Sequence, residues 1–585
     1  MTFRAPVRDL MFTLSKVVGL EQLRAAPAFA ELDDETIEAV LLAAADLTDN
    51  LLAPLYRTGD RAGATLKDGQ VITAPGFPTA FKAFAEGGWV SLAADPDHGG
   101  QGLPKALELA VSEMVSGANL AFGLCPILAQ GAIEALTLHG TDRQKALYLP
   151  RMINGQWTGA MCLTEPQAGS DLAAITTRAE PDGEGGYRLH GQKIFITWGD
   201  HDCAENIVHM VLGRLPGAPE GVRGISLFLA SKFIAADDGA LGERNGFFPA
   251  GLEHKLGIHA SPTCVMQYEG AQAELVGEAG KGLAHMFVMM NAARLSVGAQ
   301  GVGVGERAFQ QALAYARERR QGRSAWTGQA SAPIADHPDV RRMLVEMKAD
   351  VEAGRALCLL TAVNADLARH GADPAGREAA RLREEVLTPI AKAWSTDMGV
   401  AVASTALQVH GGMGYIEETG AAQPYRDARI TPIYEGTNGV QAIDLAGRKL
   451  SLQDGAGMTA LIDEALATAA ALSARPEPDL AQLGGLLTAG GQALRVATDW
   501  LRAHAGSADA LAGAGAYLRL AGDVLGGWLL AKGALAAEAP DATLRLALAV
   551  RFAQARLTLA PGRVTAVCAG AEGLAAVSPA MLGGD

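Results

Sequence analysis

Apolar residues recur every three to four positions through most of the N-terminal quarter of the chain, which is the spacing of one face of an α-helix. Residues 31–60 show this spacing, and acidic side chains in the first turns suit the positive end of a helix dipole. A turn-rich segment at 94–104 precedes a second helical pattern that begins at Lys105. We predict a helical domain over 40–155, preceded by an N-terminal extension over 1–39.

The period of the pattern changes near Gln156. Short runs of β-branched, aromatic and alternating apolar residues follow, and clusters of Gly, Pro and Asp separate them. We predict strands at 157–164, 187–197, 206–215, 224–230 and 263–271. Their close spacing predicts a compact, antiparallel, barrel-like β domain over 156–280.

Long helical patterns return after Gly280. They cover 283–321, 340–370 and 383–412, and each is long enough to span a four-helix bundle. We assign the bundle to 281–455 and an additional helical domain to the Ala- and Leu-rich segment 456–585. The predicted fold class is mainly α with an inserted β domain.

Composition and charge exclude several classes of protein. The 585 residues are 49% hydrophobic and 19% charged, which excludes disorder over most of the chain. The formal charge is −15 and no basic stretch interrupts it, so we expect no nucleic-acid partner. The six cysteines form no C-x-x-C pair, so we expect no metal site and a reducing compartment, the cytoplasm. The charged N-terminus does not resemble a signal peptide, and we predict no membrane span.

Two segments of the β domain carry candidate chemistry. In 161–171 a strand runs into a turn with two hydroxyls, which is a suitable cradle for a polar ring and a phosphate. The alternative is a turn in which Ser170 or Asp171 caps the next helix. In 193–199, Phe195 and Thr197 share a strand face and could hold a ring system, although pairing inside a core explains them as well.

The third segment surrounds Glu435. An apolar pair precedes this residue, and the flexible sequence 436–439 follows it. A carboxylate walled in by apolar groups is a stronger base, because burial disfavours its charged form. The alternative is an ordinary solvated loop acid.

Gly301, Gly303 and Gly305 imitate a dinucleotide-binding fingerprint. That fingerprint must follow a strand and open a helix, whereas these glycines lie inside a helical stretch. We interpret them as a site where two helices approach closely.

Taken together, these motifs make the sequence similar to the acyl-CoA dehydrogenase family. The similarity rests on LTEP-x-AGSD (163–171), K-x-F-I-T-x-G (193–199), an arginine in the long helix (Arg294), ERRQGRS (318–324), QVHGGMGY (408–415) and IYEGTNG-x-Q (433–441). The resemblance covers most of 40–455 and implies an N-terminal helical domain, a β domain and a C-terminal four-helix bundle. The N-terminal extension and the additional C-terminal helices resemble a longer subgroup, which includes the 3-methylmercaptopropionyl-CoA dehydrogenases of dimethylsulfoniopropionate breakdown.

The resemblance implies FAD-dependent α,β-dehydrogenation of an acyl-CoA thioester to the 2,3-enoyl-CoA. Glu435 would remove the α proton, and its backbone N–H would help to hold the thioester oxygen. Some relatives place the base just before the helix arginine, where this chain has Ala293, which cannot take a proton. The substrate stays open between 3-methylmercaptopropionyl-CoA and a short- or medium-chain acyl-CoA.

The same resemblance implies the remaining site residues. The residues expected to bind FAD are Met161, Leu163, Thr164, Ser170, Phe195, Thr197, Arg319, Gln321, Gln408, Gly411, Gly412, Thr437 and Asn438. The residues expected to touch the substrate are Ser170, Asn291, Arg294 and Gly436, with an ordinary surface position as the alternative for Arg294. Arg319, Gln321, Gln408, Gly411 and Gly412 would reach the FAD of a neighbouring subunit, which implies a homodimer or homotetramer.

Two other functions remain open from the sequence. An acyl-CoA oxidase would use oxygen where the dehydrogenase passes electrons to an electron-transferring flavoprotein. A DNA-associated alkylation-response protein of the same fold would need a basic C-terminal region. The C-terminal region of this chain carries slightly more acid than base.

Overall fold

A computed structural model describes residues 3–583, and these residues form two compact units. One unit consists of 6–42 together with the chain from Val297 onward. The other consists of 3–5 and 43–296. The five-part domain division drawn from the sequence stays a prediction.

The chain before the β domain is helical, as the sequence predicts. Its elements are α1 (Val7–Phe12), α2 (Asp34–Leu47), α3 (Ala53–Ala62), the hairpin of β1 (Thr65–Lys67) and β2 (Gln70–Ile72), α4 (Phe77–Glu86), α5 (Lys105–His139) and α6 (Asp142–Ile153). A π-helical turn, Thr48–Leu52, interrupts the helix predicted over 31–60. Pro54 follows this turn and has no N–H to donate back along the helix, which explains why the regular hydrogen-bond pattern changes here.

Two helical stretches, Asp34–Ala62 and Lys105–His139, are long and apolar enough to cross a membrane, although the sequence analysis expected none. Length and composition alone do not distinguish a membrane span from a core helix. In Lys105–His139, 83% of the most apolar window is buried inside the protein, as in a core helix.

The β domain contains all five predicted strands and four further ones. They are β3 (Trp157–Cys162), β4 (Arg178–Pro181), β5 (Tyr187–Thr197), β6 (Asn206–Arg214), β7 (Ile225–Ser231), β8 (Phe233–Ala235), β9 (Leu241–Arg244), β10 (Phe247–Leu252) and β11 (Thr263–Val276). Strand β7 pairs with both β11 and β6, so the path β11, β5, β4, β6 and β7 closes into a ring. The barrel-like prediction is confirmed.

The expectation of a purely antiparallel domain is wrong for β3, and also for β4, which pairs in parallel with β6 at Arg178 and Arg214. Strand β3 runs parallel to β6, from Trp157 opposite Asn206 to Cys162 opposite Val211. A parallel pair needs a long crossover, and here the chain from 163 to 205 supplies it. All six residues of β3 are buried, which is typical of a strand covered on both faces. Strand spacing along the sequence does not reveal such a crossover.

The remaining helices follow the β domain. They are α7 (Gly282–Glu318), α8 (Pro338–His370), α9 (Pro374–His410), α10 (Ala422–Ala428), α11 (Asn438–Gly447), α12 (Ala456–Ser473), α13 (Pro478–Ala503), α14 (Ala508–Ala536), α15 (Ala542–Arg556), α16 (Ala560–Val567), α17 (Glu572–Ala575) and α18 (Pro579–Gly583). Helices α7 to α9 match the three predicted long helices.

Helices α7 and α9 touch through their backbones. A Cβ atom added at Gly301 would lie 2.5 Å from the carbonyl oxygen of Ser395, and one added at Gly399 would lie 2.4 Å from that of Gly301. Both separations are too short for any side chain. Gly301 is therefore a helix-packing residue, as the sequence analysis inferred, and belongs to no nucleotide-binding turn.

Six charged side chains form a buried ion cluster in the unit that contains 6–42 and the chain from Val297. They are Asp9, Glu306, Lys348, Glu352, Arg355 and Arg545. Arg545 of α15 lies 2.6 Å from Asp9 of α1 and 3.0 Å from Glu352 of α8. The cluster therefore ties the first and the late helices to the same bundle helix.

Candidate functional site

The 163–177 loop leaves β3 and folds around the carboxylate of Glu165, which is 2% exposed. Oxygen Oε1 accepts hydrogen bonds from the N–H and hydroxyl of Thr177, at 3.0 and 2.6 Å. Oxygen Oε2 accepts from the N–H and hydroxyl of Thr176, at 2.7 and 2.8 Å, and from Nε2 of Gln167 at 2.7 Å. One buried carboxylate thus fixes both ends of the loop.

Lys193 of β5 completes this arrangement and is fully buried. Its Nζ lies 2.8 Å from Oε1 of Glu165 and 2.9 Å from the carbonyl oxygen of Leu163. Burial alone would raise the pKa of Glu165, but the charge and hydrogen bond of Lys193 and the threonine hydrogen bonds lower it to about 2. Glu165 is therefore an ionised structural anchor of the loop.

Phe195 occupies a bulge in β5. Met266 lies opposite Lys193 and Cys264 lies opposite Ile196, so β5 has one more residue than β11 between these pairs. Phe195 takes a left-handed φ of 57°, and its side chain is 57% exposed. The alternative of an aromatic residue paired inside the core is wrong for this position.

Three hydroxyls border the same region. The side chains of Thr164, Ser170 and Thr197 make no hydrogen bond to another residue between 3 and 583. Asp171, not Ser170, caps the next short helix, through a 2.9 Å bond from the N–H of Ala173. The backbone N–H of Ile194 bonds to the carbonyl oxygen of Thr164 at 2.9 Å, which joins the loop to the strand that carries Phe195 and Thr197.

The 430–438 loop carries Glu435, and backbone hydrogen bonds within the loop form a turn just before this residue. The N–H groups of Ile433 and Tyr434 bond to the carbonyl oxygen of Ile430, at 2.9 and 3.2 Å. Glu435 and Gly436 both take left-handed φ values, of 56° and 82°. Such a value is costly for a residue with a Cβ atom. Glu435 is half-buried, so the alternative of a fully solvated loop acid is wrong.

Lys392 of α9 holds the C-terminal side of this loop and is fully buried. Its Nζ donates to the carbonyl oxygen of Gly436 and to Oδ1 of Asn438, both at 2.9 Å. Nδ2 of Asn438 donates back to the carbonyl oxygen of Ala393 at 3.0 Å and to Oδ1 of Asp397 at 2.8 Å. The Asn438 side chain is therefore bound to α9, and its expected contact with FAD stays a prediction.

Tyr434 holds the N-terminal side of the loop. Its hydroxyl makes a short hydrogen bond to Oε1 of Gln300, a fully buried residue of α7. Burial, and then the charge of Glu435, raise the pKa of the Tyr434 hydroxyl, which therefore stays protonated as the donor. After the loop, the hydroxyl of Thr437 accepts from the N–H of Val440 at 3.2 Å and caps α11.

Five predicted FAD residues lie at the ends of α7 and α9. The ring of Tyr315, one turn before the end of α7, stacks on His410 at a centroid distance of 4.5 Å, which joins the two helix ends. The five residues are exposed there: Arg319, Gln321, Gln408, Gly411 and Gly412. Arg319 donates to Oε1 of Gln321 at 3.2 Å, and a Cβ atom at either glycine would meet open space.

Arg294 lies in the first half of α7 and is only 7% exposed. Its Nη1 donates to Oδ1 of Asn291 at 3.0 Å, and its guanidinium lies 5.9 Å from the ring centre of Phe287. The alternative of an ordinary surface arginine is therefore wrong. Asn291 itself is exposed.

Models of the acyl-CoA dehydrogenase family match most of the chain. The N-terminal domain model matches 34–156, the middle domain model 160–271 and the C-terminal domain model 280–450. A further model, described as acetyl-CoA dehydrogenase C-terminal like, matches 458–578. The chain belongs to the acyl-CoA dehydrogenase family.

Individual relatives agree with this assignment. The chain is 47% identical to 3-methylmercaptopropionyl-CoA dehydrogenase of Ruegeria pomeroyi, over 92% of either chain. It is 34% identical to the broad-specificity linear acyl-CoA dehydrogenase FadE5 of Mycobacterium tuberculosis, over 92% of this chain and 91% of that one. The fold resembles Caenorhabditis elegans ACDH-11, solved in complex with C11-CoA. That similarity has a TM-score of 0.79 and 22% identity, covering 95% of this chain and 92% of the other.

The family resemblance seen in the motifs is thus confirmed, and with it the reaction class and the cofactor. This acyl-CoA dehydrogenase is an FAD-dependent oxidoreductase that acts on an acyl-CoA thioester. Its β domain offers what a flavin ring requires: an exposed aromatic face at Phe195, and three hydroxyls that have no hydrogen-bond partner among the described residues. The residues present therefore fit the cofactor.

Sequence reasoning missed four polar residues of this acyl-CoA dehydrogenase that support the two loops. They are Glu165 and Lys193 in the β domain, and Gln300 and Lys392 in the helical bundle. Two signals were available for the lysines, because Lys392 lies between apolar residues in I-A-K-A-W and Lys193 directly precedes the apolar run I-F-I. A charged residue that is buried in such a run requires a charged or hydrogen-bonding partner.

Proposed function

We propose that Glu435 is the base that removes the α proton of the acyl thioester in this acyl-CoA dehydrogenase. The observation that carries the proposal is the loop around it. A non-glycine residue is held at a positive φ, with Tyr434 fastened to α7 on one side and Gly436 fastened to α9 on the other. Strain that the surroundings maintain in this way is typical of functional residues.

In the proposed reaction, the carboxylate of Glu435 takes the α proton and becomes a carboxylic acid. The backbone N–H of Glu435 donates to the thioester oxygen, where negative charge develops as the α C–H bond breaks. FAD, when bound, supplies the acceptor for the hydride that leaves the β carbon. The product is the 2,3-enoyl-CoA. Ala293, the position of the base in other relatives, is 4% exposed and has no ionisable group.

We assign the flavin ring to Phe195, Thr197 and the 163–177 loop, through Leu163, Thr164 and Ser170. We assign Met161, the last residue but one of β3, to FAD as well; its side chain is 8% exposed. We assign the CoA thioester side to Arg294, Asn291, Ser170 and Gly436. The 3.0 Å bond between Arg294 and Asn291 supports this assignment, because it holds the two residues together on one face of α7.

The proposed substrate is 3-methylmercaptopropionyl-CoA. The support is the 47% identity to an enzyme of that name over 92% of both chains. The 34% identical relative named for linear acyl-CoA substrates makes a short- or medium-chain acyl-CoA the competing outcome. A panel of acyl-CoA thioesters, scored by anaerobic bleaching of the flavin, decides between them. A lower kcat/KM for 3-methylmercaptopropionyl-CoA than for butyryl-CoA would overturn the substrate assignment.

The Glu435→Gln variant tests the base. We expect it to retain bound flavin and to lose turnover by about 10²–10⁴-fold, because a positioned general base contributes rate of that order. Turnover is measured with an artificial electron acceptor. Asp444→Asn is the control, since Asp444 lies on the next helix and pairs with Arg448. Activity of Glu435→Gln within a few fold of the parent would exclude the role.

The proposed electron acceptor is an electron-transferring flavoprotein rather than oxygen. Turnover in air without any added acceptor, followed by peroxide formation, distinguishes the two. Stoichiometric peroxide would assign the chain to the oxidases instead. We place this activity in the cytoplasm.

We propose a homodimer or homotetramer in which Arg319, Gln321, Gln408, Gly411 and Gly412 contact FAD of the neighbouring subunit. Their exposed position at the ends of α7 and α9 supports this arrangement. Co-expression of a Glu435→Gln chain with an Arg319→Ala/Gln321→Ala chain tests it. Mixed oligomers should regain part of the activity that both homo-oligomers lack. No recovery would argue against sharing between subunits.

A further inference from the structure

We propose that Lys392 is a positioning residue for Glu435, and this inference rests on the proposed role of Glu435 as the base. Two hydrogen bonds of a single atom, Nζ of Lys392, support this role. Nζ of Lys392 donates to the carbonyl oxygen of Gly436, which directly follows Glu435, and to Oδ1 of Asn438, both at 2.9 Å. The side chain reaches the loop from the middle of α9 without itself being exposed.

A charge at this buried position carries a desolvation cost. Ile390, Ala391 and Ala393 around Lys392 are all completely buried, and so is Lys392. Removing an ammonium group from water has a large desolvation cost, and an apolar side chain of similar volume is often equally stable in such a place. The bundle therefore does not need a lysine here in order to pack.

The loop, in contrast, needs a strong donor at this point. Glu435 carries a Cβ atom and has a left-handed φ, so its backbone is held away from its preferred conformation, whereas Gly436 adopts a positive φ at little cost. The Lys392 ammonium fixes the carbonyl of Gly436 on one side of Glu435. Tyr434, bound to Gln300, fixes the other side.

About one turn of α9, residues 392–397, therefore binds the loop through several hydrogen bonds. Besides the bonds from Lys392, the carbonyl oxygen of Ala393, the hydroxyl of Thr396 and the carboxylate of Asp397 all accept from Nδ2 of Asn438, at 2.8–3.0 Å. Loss of the Lys392 ammonium removes the only contribution of this turn that acts directly on Gly436 among the hydrogen bonds described for residues 3–583. Nε2 of Gln441 would remain 3.5 Å from the carbonyl oxygen of Gly436, which is a longer contact, so we expect the backbone at Glu435 to be held less firmly.

The experiment compares Lys392→Met with a matched control, Lys449→Met. Lys449 is also buried, at 2% exposure, and belongs to the same compact unit, but its Nζ pairs with Glu385 at 2.9 Å. We expect Lys392→Met to retain flavin, to keep its KM within about threefold and to lose at least tenfold in kcat, since small displacements of reacting groups cost rates of about that size. Lys449→Met should keep both constants.

An isotope effect separates positioning from general damage. With α-deuterated acyl-CoA, proton removal by a misplaced base should limit the rate more fully, so the deuterium effect on kcat should be larger for Lys392→Met than for Lys449→Met. Equal isotope effects and equal kcat in the two variants would overturn the proposal. A loss of kcat that only follows loss of flavin would overturn it too.

Two further variants keep the test decisive. If Lys392→Met does not fold, Lys392→Leu takes its place under the same criteria, because it also lacks a donor. Glu435→Gln, measured in parallel, distinguishes failure of the proposed base from failure of the positioning role. If that variant stays active, the proposed function fails. If it is inactive while Lys392→Met behaves as the control, only the positioning role fails.

Discussion

At the residue scale, Phe195, which we assign to the flavin face, and Glu435, which we assign as the base, have the same unusual backbone conformation. Phe195 and Glu435 both have positive φ values, of 57° and 56°, although neither is glycine. Each such conformation costs about 1–2 kcal/mol. Both residues are held by neighbours that are polar and buried, Lys193 beside Phe195 and Lys392 below Gly436. The chain thus accepts local strain where it presents these two side chains.

Phe195→Ala tests whether the exposed ring serves the cofactor. Because the ring is 57% exposed, its loss should change the melting temperature little, while the affinity for FAD should fall at least severalfold if the ring covers the flavin. Flavin retained after gel filtration and the melting temperature are the measurements. Phe248→Ala, at a 38% exposed aromatic of β10, is the control and should retain its flavin. Equal retention in both variants would contradict the assignment.

His209 predicts an acid-sensitive β domain. This histidine is fully buried, with ring nitrogens 2.8 Å from the Tyr268 hydroxyl and 2.7 Å from the carbonyl oxygen of Gly199. Burial lowers its pKa from 6.5 to about 4. The lowered folded pKa means that its contribution is complete above pH 6.5 and is lost as the pH falls towards 4, by about 3 kcal/mol at most.

The measurement is urea unfolding of the β domain at pH 7, 5.5 and 4.5. The parent should lose stability steadily over this range, and His209→Gln should show a flatter dependence from a lower starting value. His254→Gln, at an exposed position, should follow the parent. Parallel curves for the parent and His209→Gln would show that this histidine is not the cause.

At the element scale, the bulge of β5 and the 163–177 loop are joined by hydrogen bonds and an ion pair of the same lysine. Lys193 precedes the bulge and binds the loop through Glu165 and through the carbonyl of Leu163. A change at Lys193 should therefore affect stability and flavin binding together. Removing one partner of a buried ion pair typically costs about 3–5 kcal/mol.

Lys193→Met is compared with Lys232→Met, which breaks another buried pair of the β domain, 2.5 Å from Asp200. Both should lower the urea midpoint. Only Lys193→Met should weaken FAD binding strongly, measured by flavin retention under native conditions. The double variant Lys193→Met/Glu165→Met should regain neither stability nor flavin affinity, because the N–H groups of Thr176 and Thr177 then lose their acceptor as well. A similar flavin loss in both single variants would place the effect in general destabilisation.

The elements themselves were largely predictable. The three- to four-residue spacing of apolar residues in α7 to α9 is repeated many times, so these helices emerge directly from the sequence. The strands emerge from short apolar runs bounded by turn residues. The parallel pairing of β3 with β6 is a property of strands far apart in the chain, and no local pattern encodes it. The β5 bulge likewise depends on the register against β11.

The site was predictable in part, and for a related reason. Glu435 and Phe195 stand out because motifs surround them. The buried residues that hold them, such as Lys392 and Gln300, have their partners in distant segments. A sequence shows that a lysine lies among apolar residues, but not which carbonyl it meets.

At the scale of the whole molecule, the buried ion cluster joins distant parts of the chain within one compact unit. Asp9 comes from the first helix and Arg545 from α15, and both contact the set centred on α8. The cluster contains three acids and three bases, so its charges balance. It contributes nothing to the net charge of −15, which comes from other residues.

Arg355→Met should destabilise this unit strongly. Arg355 is completely buried, with bonds of 2.7 Å to Glu352 and 3.1 Å to Glu306, and its loss leaves buried carboxylates short of a partner. We expect a loss of about 3–5 kcal/mol. Arg341→Met, at a half-exposed ion pair with Asp336, should cost about 0–1 kcal/mol. Urea unfolding measures both, and equal midpoints would contradict the central role of Arg355.

The contact between Gly301 and Gly399 has a consequence that reaches the reaction. Gln300, which holds Tyr434, is the neighbour of Gly301, and Lys392 lies two turns before Gly399 on the other helix. Gln300 and Lys392, which support the loop of the base, thus lie on two helices that are separated by a contact with no room for a methyl group. Gly399→Ala would act as a wedge, forcing the supports apart and slowing turnover without deleting a single polar group. Mutational screens of this enzyme should therefore find slow variants at Gly399, a buried glycine between two helices.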